Sequence, residues 1–344
     1  ADNLYQHVLN AFPNYARAYQ HQSDLLDRNE WNGTTIGQRQ RIIDSNLFNK
    51  WTFLTLAKSY AKIGQYANAA VTLAKGSAAF PVDVNIRLQY RDMANRAFYE
   101  LWDRAPQIAL SNDYETAQTK VREAIELCTD RNPSLFRSRK IKRIAIVGNE
   151  DIAQCKLYRI TQKISQLRAA GFDAKSFNYT SDIQDYIDNI DQFDAVIFYR
   201  VPGFPAVVDA ITRSKNFGLP TFYDIDDLVF DCRSFPPHLD SYAGTITEEL
   251  HASMACGVPL FNHAISLCDY GIASTSALVP LLAERVKTGK AYLHRNALGE
   301  EHLAAISAAV LARPKTGPCR ILYASGTRAH KEDFYNILEP ALVR

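Results

Sequence analysis

Through residues 1–136 apolar side chains recur at three- and four-residue spacing, broken by turn signals and never by strand-like alternation. Helices are predicted throughout that stretch. From Ile141 the pattern changes to short apolar runs alternating with helical ones. Strands are predicted at Arg143 to Val147, Ala174 to Tyr179, Ala195 to Tyr199, Thr221 to Ile225, Gly271 to Ser274 and Ala291 to Leu293. Between them, helices are predicted at Ala153 to Ala170, Ser181 to Asn189, Pro205 to Asn216, an irregular stretch ending near Leu267, and Ala277 to Arg285. Such alternation indicates a parallel sheet covered on both faces.

Asp194 to Asp231 organises this α/β half: two buried strands joined by a helical return, with Asp224, Asp226, Asp227 and Asp231 at the end of the second. Ligands of open α/β sheets bind beyond the carboxyl ends of the strands, which makes the acidic run a site candidate. The domains expected are a helical one over 1–136, a Rossmann-like one over 141–313, and the start of a second α/β domain over 318–344, where the strand CRILYAS follows the linker ARPKTGP. A chain that begins with Ala1 and ends within a helical pattern at Arg344 is expected to be a piece of a longer protein.

In FLTLAKSYAKIGQYANAAVTLAKGSAAFP, the residues Ala57, Tyr60, Gly64, Tyr66, Ala69, Leu73 and Pro81 hold the small, aromatic, turn and stop positions of a helical hairpin. The stretch resembles a tetratricopeptide repeat, and LSNDYETAQTKVREAIELC, with Asn112, Tyr114, Ala117 and Ala124 in register, resembles a weaker copy. The segment before Pro13 reads as the tail of another. Stacked hairpins leave a concave face for a protein partner, or serve only as a spacer.

Composition narrows the picture. Hydrophobic residues make up 47% of the 344 and charged ones 22%, as in a soluble globular protein, and the net charge of +2 gives no whole-chain case for nucleic acid. Six cysteines without a C-x-x-C pair indicate neither a zinc site nor a disulfide framework, and a cytoplasmic setting is expected. No apolar run reaches the ~20 residues of a membrane span. The basic connector RNPSLFRSRKIKR, with Arg137, Arg139, Lys140 and Lys142, is either a solvated linker or a peripheral contact with anionic headgroups at the inner membrane. After the first strand Gly148 stands alone where a dinucleotide fingerprint requires three glycines, and neither a Walker sequence nor a G-x-S-x-G elbow occurs.

Five blocks in order, CKLYRITQKISQLRAAG, VIFYR, PTFYDIDDLVFD, YGIASTSALVPLL and LYASGTRAHKEDF, resemble a GT-B glycosyltransferase of the large retaining family four, nearest to bacterial members that build surface polysaccharides. The resemblance covers about Ile141 to Arg344. It implies two Rossmann-like domains facing a cleft, acceptor on the first and nucleotide-diphosphate sugar on the second, with no cofactor and no metal. The donor phosphates are then expected at Ser325, Gly326, Thr327, His330 and Lys331, where a glycine admits close backbone approach. The acceptor cleft is expected at Gly148, Arg159, Arg200, Asp224, Asp226 and Asp227. Arg159 and Arg200 suit a phosphate or an acidic sugar, or else pair with the aspartates and hold the strand ends together.

Asp224 and Asp226 spell a D-x-D, which elsewhere coordinates a metal; strand alternation puts both on one face only if the strand continues through them. His251 and His294 are lone histidines, more often structural than catalytic. No catalytic residue is named by the sequence; the resemblance places the acids that touch the donor sugar beyond Arg344, so this stretch by itself is expected to be inactive. The alternative is a scaffold whose repeats recruit a partner and whose α/β part has lost catalysis.

Overall fold

The computed structural model describes residues 2–12, 15–28, 32–44, 46, 48–129, 140–242, 244–310, 317 and 334–343. They divide into two compact units, 1–104 with 120–129 and 105–119 with 130–344.

The first unit is helical. Helices α1 (Asp2–Ala11), α2 (Ala16–Arg28), α3 (Asn32–Asp44), α4 (Lys50–Lys62) and α5 (Tyr66–Ala79) are followed by α6 (Val84–Ser111) and α7 (Tyr114–Leu127), both of which run into the second unit. The hairpin read from the sequence is α4 and α5. Asn49 caps α4 by accepting from the amides of Trp51 and Thr52 while Thr52 returns an acceptor to the Asn49 amide, a reciprocal capping box. Gly64 makes the turn at φ +74°, where a side chain is strained. Leu54, Ala57, Ala69, Leu73 and Ile86 form the core between the helices. The weaker copy has a different shape: α6 is 28 residues long, Asn112 lies in the turn and Tyr114 opens α7.

The second unit is built on six strands, β1 (Arg143–Gly148), β2 (Asp173–Asn178), β3 (Ala195–Tyr199), β4 (Thr221–Ile225), β5 (Tyr270–Ala273) and β6 (Lys290–Leu293). All pairings are parallel, in the order β2-β1-β3-β4-β5-β6. Each of these six strands lies within one residue of its sequence expectation; the strand CRILYAS, expected to open a second α/β domain, lies outside the described residues. One face carries Val147, Val196, Phe198, Tyr223, Ile225 and Ala273, packed by residues of α10 (Ile183–Asp188), α11 (Pro205–Asn216), α12 (Glu248–Leu267) and α13 (Leu278–Ala283). The other carries Ile144, Ile146, Ala195, Ile197 and Tyr199 against Cys155 and Ile160. The helix that supplies Cys155 and Ile160 is interrupted: α8 (Ala153–Lys156) passes through a π-helical turn, Leu157–Thr161, into α9 (Gln162–Ala169). After β6 come α14 (Glu300–Val310) and, further on, a π-helical turn at Phe334–Leu338 that runs into a short helix at Glu339–Leu342.

The stretch expected to be irregular up to Leu267 resolves into loop, a 3-10 turn at Leu239–Tyr242 and the 20-residue α12. Pro259 sits inside α12 and has no amide proton, which strips Ala255 of its helical donor. Gln118 of α7 fills that vacancy, its Nε2 donating to the Ala255 carbonyl at 2.9 Å. His251 of α12 lies between Tyr114, 2.9 Å from Nδ1, and the carbonyl of Pro237, 2.8 Å from Nε2. Because a carbonyl only accepts, Nε2 carries a proton and donates to Pro237.

Candidate functional site

The strand order reverses direction between β1 and β3: β2 lies to one side of β1, and β3 through β6 continue on the other. At such a reversal the connections leave in opposite directions and open a crevice at the carboxyl edge of the sheet. Gly148 ends β1 there, Tyr199 ends β3, and Arg200 and Asp224 to Asp227 follow from β3 and β4. Gly148 is buried under the π-helical turn: a Cβ on it would stand 2.5 Å from Cδ1 of Ile160. A larger residue would have to push the tip of the Ile160 side chain aside; the turn that holds Ile160 also carries Arg159.

Arg159 and Asp224 are fully buried. One Asp224 oxygen accepts from Nη2 of Arg159 and the other from Nζ of Lys163, which stands one helical turn further on and is also buried. Nη1 of Arg159 donates to the carbonyl of His294 at 2.6 Å and to Oδ1 of Asn296 at 3.1 Å, so the same guanidinium ties β4 to the loop after β6. Its Nε is buried without a hydrogen-bond partner among the described residues. Burial pushes the Lys163 ammonium below its ordinary value and the neighbouring Arg159 adds to this, while Asp224 opposes both.

The outer half of the cluster lies one residue pair further along. The strand does not continue through both: β4 ends at Ile225, so alternation does not put Asp224 and Asp226 on one face, and they answer to different partners. Both Asp226 oxygens lie 3.1 Å from the Tyr199 hydroxyl. Nη1 of Arg200 is 2.5 Å from Asp227, 3.6 Å from Asp226 and 3.7 Å from the Cys155 sulfur. Desolvation raises the Asp226 carboxyl above the usual carboxylate range; Arg200 and the Tyr199 hydrogen bond pull it back, and Asp227 pushes it further up. Burial drives the Tyr199 phenol far up, which leaves it a permanent donor to Asp226. Desolvation works against the charge of Arg200, but Asp227 and Asp226 outweigh it and its pKa stands above the ordinary value. Arg200 adopts φ +47° and its amide donates to the Asp224 carbonyl at 2.9 Å, a left-handed backbone that costs an arginine about 1–2 kcal/mol.

The structure thus brings together Gly148, Arg159, Arg200, Asp224, Asp226 and Asp227, and it pairs both arginines with aspartates. Asp231, the fourth acid of the run, is turned to Arg233 at 3.1 Å. Among the described residues no group of three or more histidine, cysteine, aspartate or glutamate side chains is arranged to hold a metal ion. His294 donates from Nε2 to Oε1 of Gln166 at 2.9 Å and meets the cluster only through its carbonyl. His251 is engaged by Tyr114 and Pro237, as above. Ser325, Gly326, Thr327, His330 and Lys331 lie outside the described residues, as do Arg137 and Arg139 of the basic connector. Sequence reading missed Lys163, Tyr199 and Cys155. Lys163 had a local signal, the i,i+4 spacing from Arg159.

No helix among the described residues is long and apolar enough to cross a membrane. No family model matches the chain, and neither does any curated protein. Among solved structures it is similar to a lysine-to-methionine mutant of the Thermobaculum terrenum O-GlcNAc transferase, at 12% identity and a TM-score of 0.22 over 86% of this chain and 53% of that one. The chain therefore spans about half the length of that protein. A similarity of this size carries no argument about fold or chemistry here.

Proposed function

We propose that the second unit is the acceptor-side domain of a GT-B glycosyltransferase, which moves a sugar from a nucleotide-diphosphate donor to a glycan, and that the crevice between β1 and β3 receives the acceptor. The observation that carries this reading is the cluster at the carboxyl edge. Three cations and three aspartates are held at the strand reversal by a close-packed glycine, a π-helical turn and a left-handed arginine, none of which a plain structural edge requires. Supporting it are the five sequence blocks, three of which, Cys155 to Gly171, Val196 to Arg200 and Pro220 to Asp231, supply the charged residues of the cluster. The donor phosphates would be met by Ser325 to Lys331, and retention of configuration, a bacterial surface glycan as product and a partner on the helical unit belong to the same proposal.

The chemistry asked of these residues is positioning. A sugar hydroxyl aligned against the anomeric carbon gains much of its rate from orientation, and buried polar groups at fixed angles supply that. No joint metal site is required: Asp224 is already held by two cations and Asp226 by Tyr199 and Arg200.

Titration of the 344-residue chain with methyl glycosides and short oligosaccharides, followed by ligand-observed NMR, tests the assignment. Saturable binding is expected, and Asp226→Ala, which removes the carboxylate held by Tyr199 at the strand ends, should abolish it. Binding that survives Asp226→Ala, or no binding by the intact chain, refutes the assignment.

A further inference from the structure

The acceptor crevice has a charge signature. Arg159 gives its guanidinium to Asp224, His294 and Asn296, and Lys163 gives its ammonium to Asp224; both are buried below the crevice floor. Lys156, on α8, is 2.5 Å from Glu150 in the loop after β1. Arg200 is held by Asp227 at 2.5 Å with Asp226 at 3.6 Å. Asp151 is exposed in the loop after β1, and its amide, not its carboxylate, makes the local turn bond to Asn149. Arg295 is exposed beyond β6, between His294 and Asn296, which Arg159 ties to Asp224.

From this distribution, and resting on the acceptor-site reading above, we propose that the crevice takes an uncharged hydroxyl-bearing acceptor and rejects one that carries a carboxylate or phosphate beside its attacking hydroxyl. Every cation at the β1, β3 and β4 ends is already committed to a carboxylate of the chain. Among the described residues at these three strand ends, an incoming anion gains a partner by displacing Asp227 from Arg200, and it then lies next to both Asp226 and the displaced carboxylate. Like charges brought together in a partly desolvated crevice repel strongly. A neutral hydroxyl meets no such cost, and Asp226, whose protein donor is the neutral Tyr199 phenol, keeps lone-pair capacity for one more hydrogen bond. Asp227 is the element that sets the preference: it is about half exposed, it follows β4 at the carboxyl edge, and it occupies the guanidinium that stands beside Asp226.

The test compares two matched probes, methyl β-D-glucoside and methyl β-D-glucuronide, on the wild-type chain and on Asp227→Asn, by ligand-observed NMR at low and high salt. The wild type is expected to bind the glucoside at least about tenfold more tightly, with the gap narrowing as salt screens the carboxylates. Asp227→Asn frees Arg200 and should bring the glucuronide up to the glucoside or beyond it. Wild-type binding of the glucuronide as tight as that of the glucoside, or a ratio that Asp227→Asn leaves unchanged, overturns the charge argument while leaving the acceptor site in place. Failure of the wild type to bind either probe overturns the acceptor-site reading and this inference with it, and Asp227, being on the surface, gives no reason for the variant to misfold.

Discussion

Asp224→Asn removes the anion that two buried cations, Arg159 and Lys163, share. The substitution keeps the shape of the side chain and leaves Arg159 and Lys163 side by side, at 0% and 5% side-chain exposure, without a counter-charge. Breaking a buried pair from one side costs about 3–5 kcal/mol. The variant has one escape, which bounds the loss. Lys163 can release its proton, and at pH 7 that costs at most about 4–5 kcal/mol relative to an ordinary lysine of pKa ~10.4, falling by ~1.4 kcal/mol for each unit of rising pH. The sign is fixed by the folded state. Burial already lowers the Lys163 pKa in the wild type, so the unfolded chain binds more protons between the folded and unfolded values, and stability rises with pH through that window. Without Asp224 the folded value drops further and the window widens downward. The deficit of Asp224→Asn should therefore be several kcal/mol at pH 7 and shrink toward pH 10. Because the chain has two compact units, a single unfolding free energy is ill-defined. Hydrogen exchange of the β3 and β4 amides, corrected for intrinsic rates, reads the affected unit directly. Adding Lys163→Met should recover part of the loss at pH 7 and remove its pH dependence. A deficit below about 1 kcal/mol, or one that stays constant from pH 7 to pH 10, would refute the buried-triad reasoning.

Two further expectations concern the unit that carries the site. Gln118→Ala strands the Ala255 carbonyl that Pro259 leaves without a helical donor and should cost about 1–3 kcal/mol, whereas the same change in a Pro259→Ala background, where the helix amide is restored, should cost much less; equal losses in both backgrounds would break the link. His263 is held neutral by burial, with Lys287 adding to the effect, and its pKa is lowered to about 4. The unfolded chain then binds the extra proton between about pH 6.5 and pH 4, so stability should fall by up to about 3 kcal/mol as pH drops through that window, and His263→Phe should flatten the fall; an unchanged profile would show that another group is responsible.

The residues that define the strands are legible in one dimension because strand burial and helix amphipathicity are local periodicities. Runs such as Ala195 to Tyr199 are apolar throughout because both faces of that strand are covered, and a one-residue scale is enough to see it. Gly64 and the Asn49 cap are likewise local, set by backbone torsion and by a side chain reaching its own helix. The partners of the charged residues were open in the sequence for a different reason. Arg159 meets Asp224 across 65 positions and His294 across 135, and only the tertiary packing brings the guanidinium to those partners. The strand order is equally non-local. The run of aspartates could be recognised from composition, but that Asp224 is a buried counter-ion, Asp226 a hydrogen-bonded carboxylate with its pKa raised and Asp227 an exposed partner of Arg200 follows from depth. Sequence spacing carries no measure of depth; the packing of the helix after β1 against the sheet supplies it.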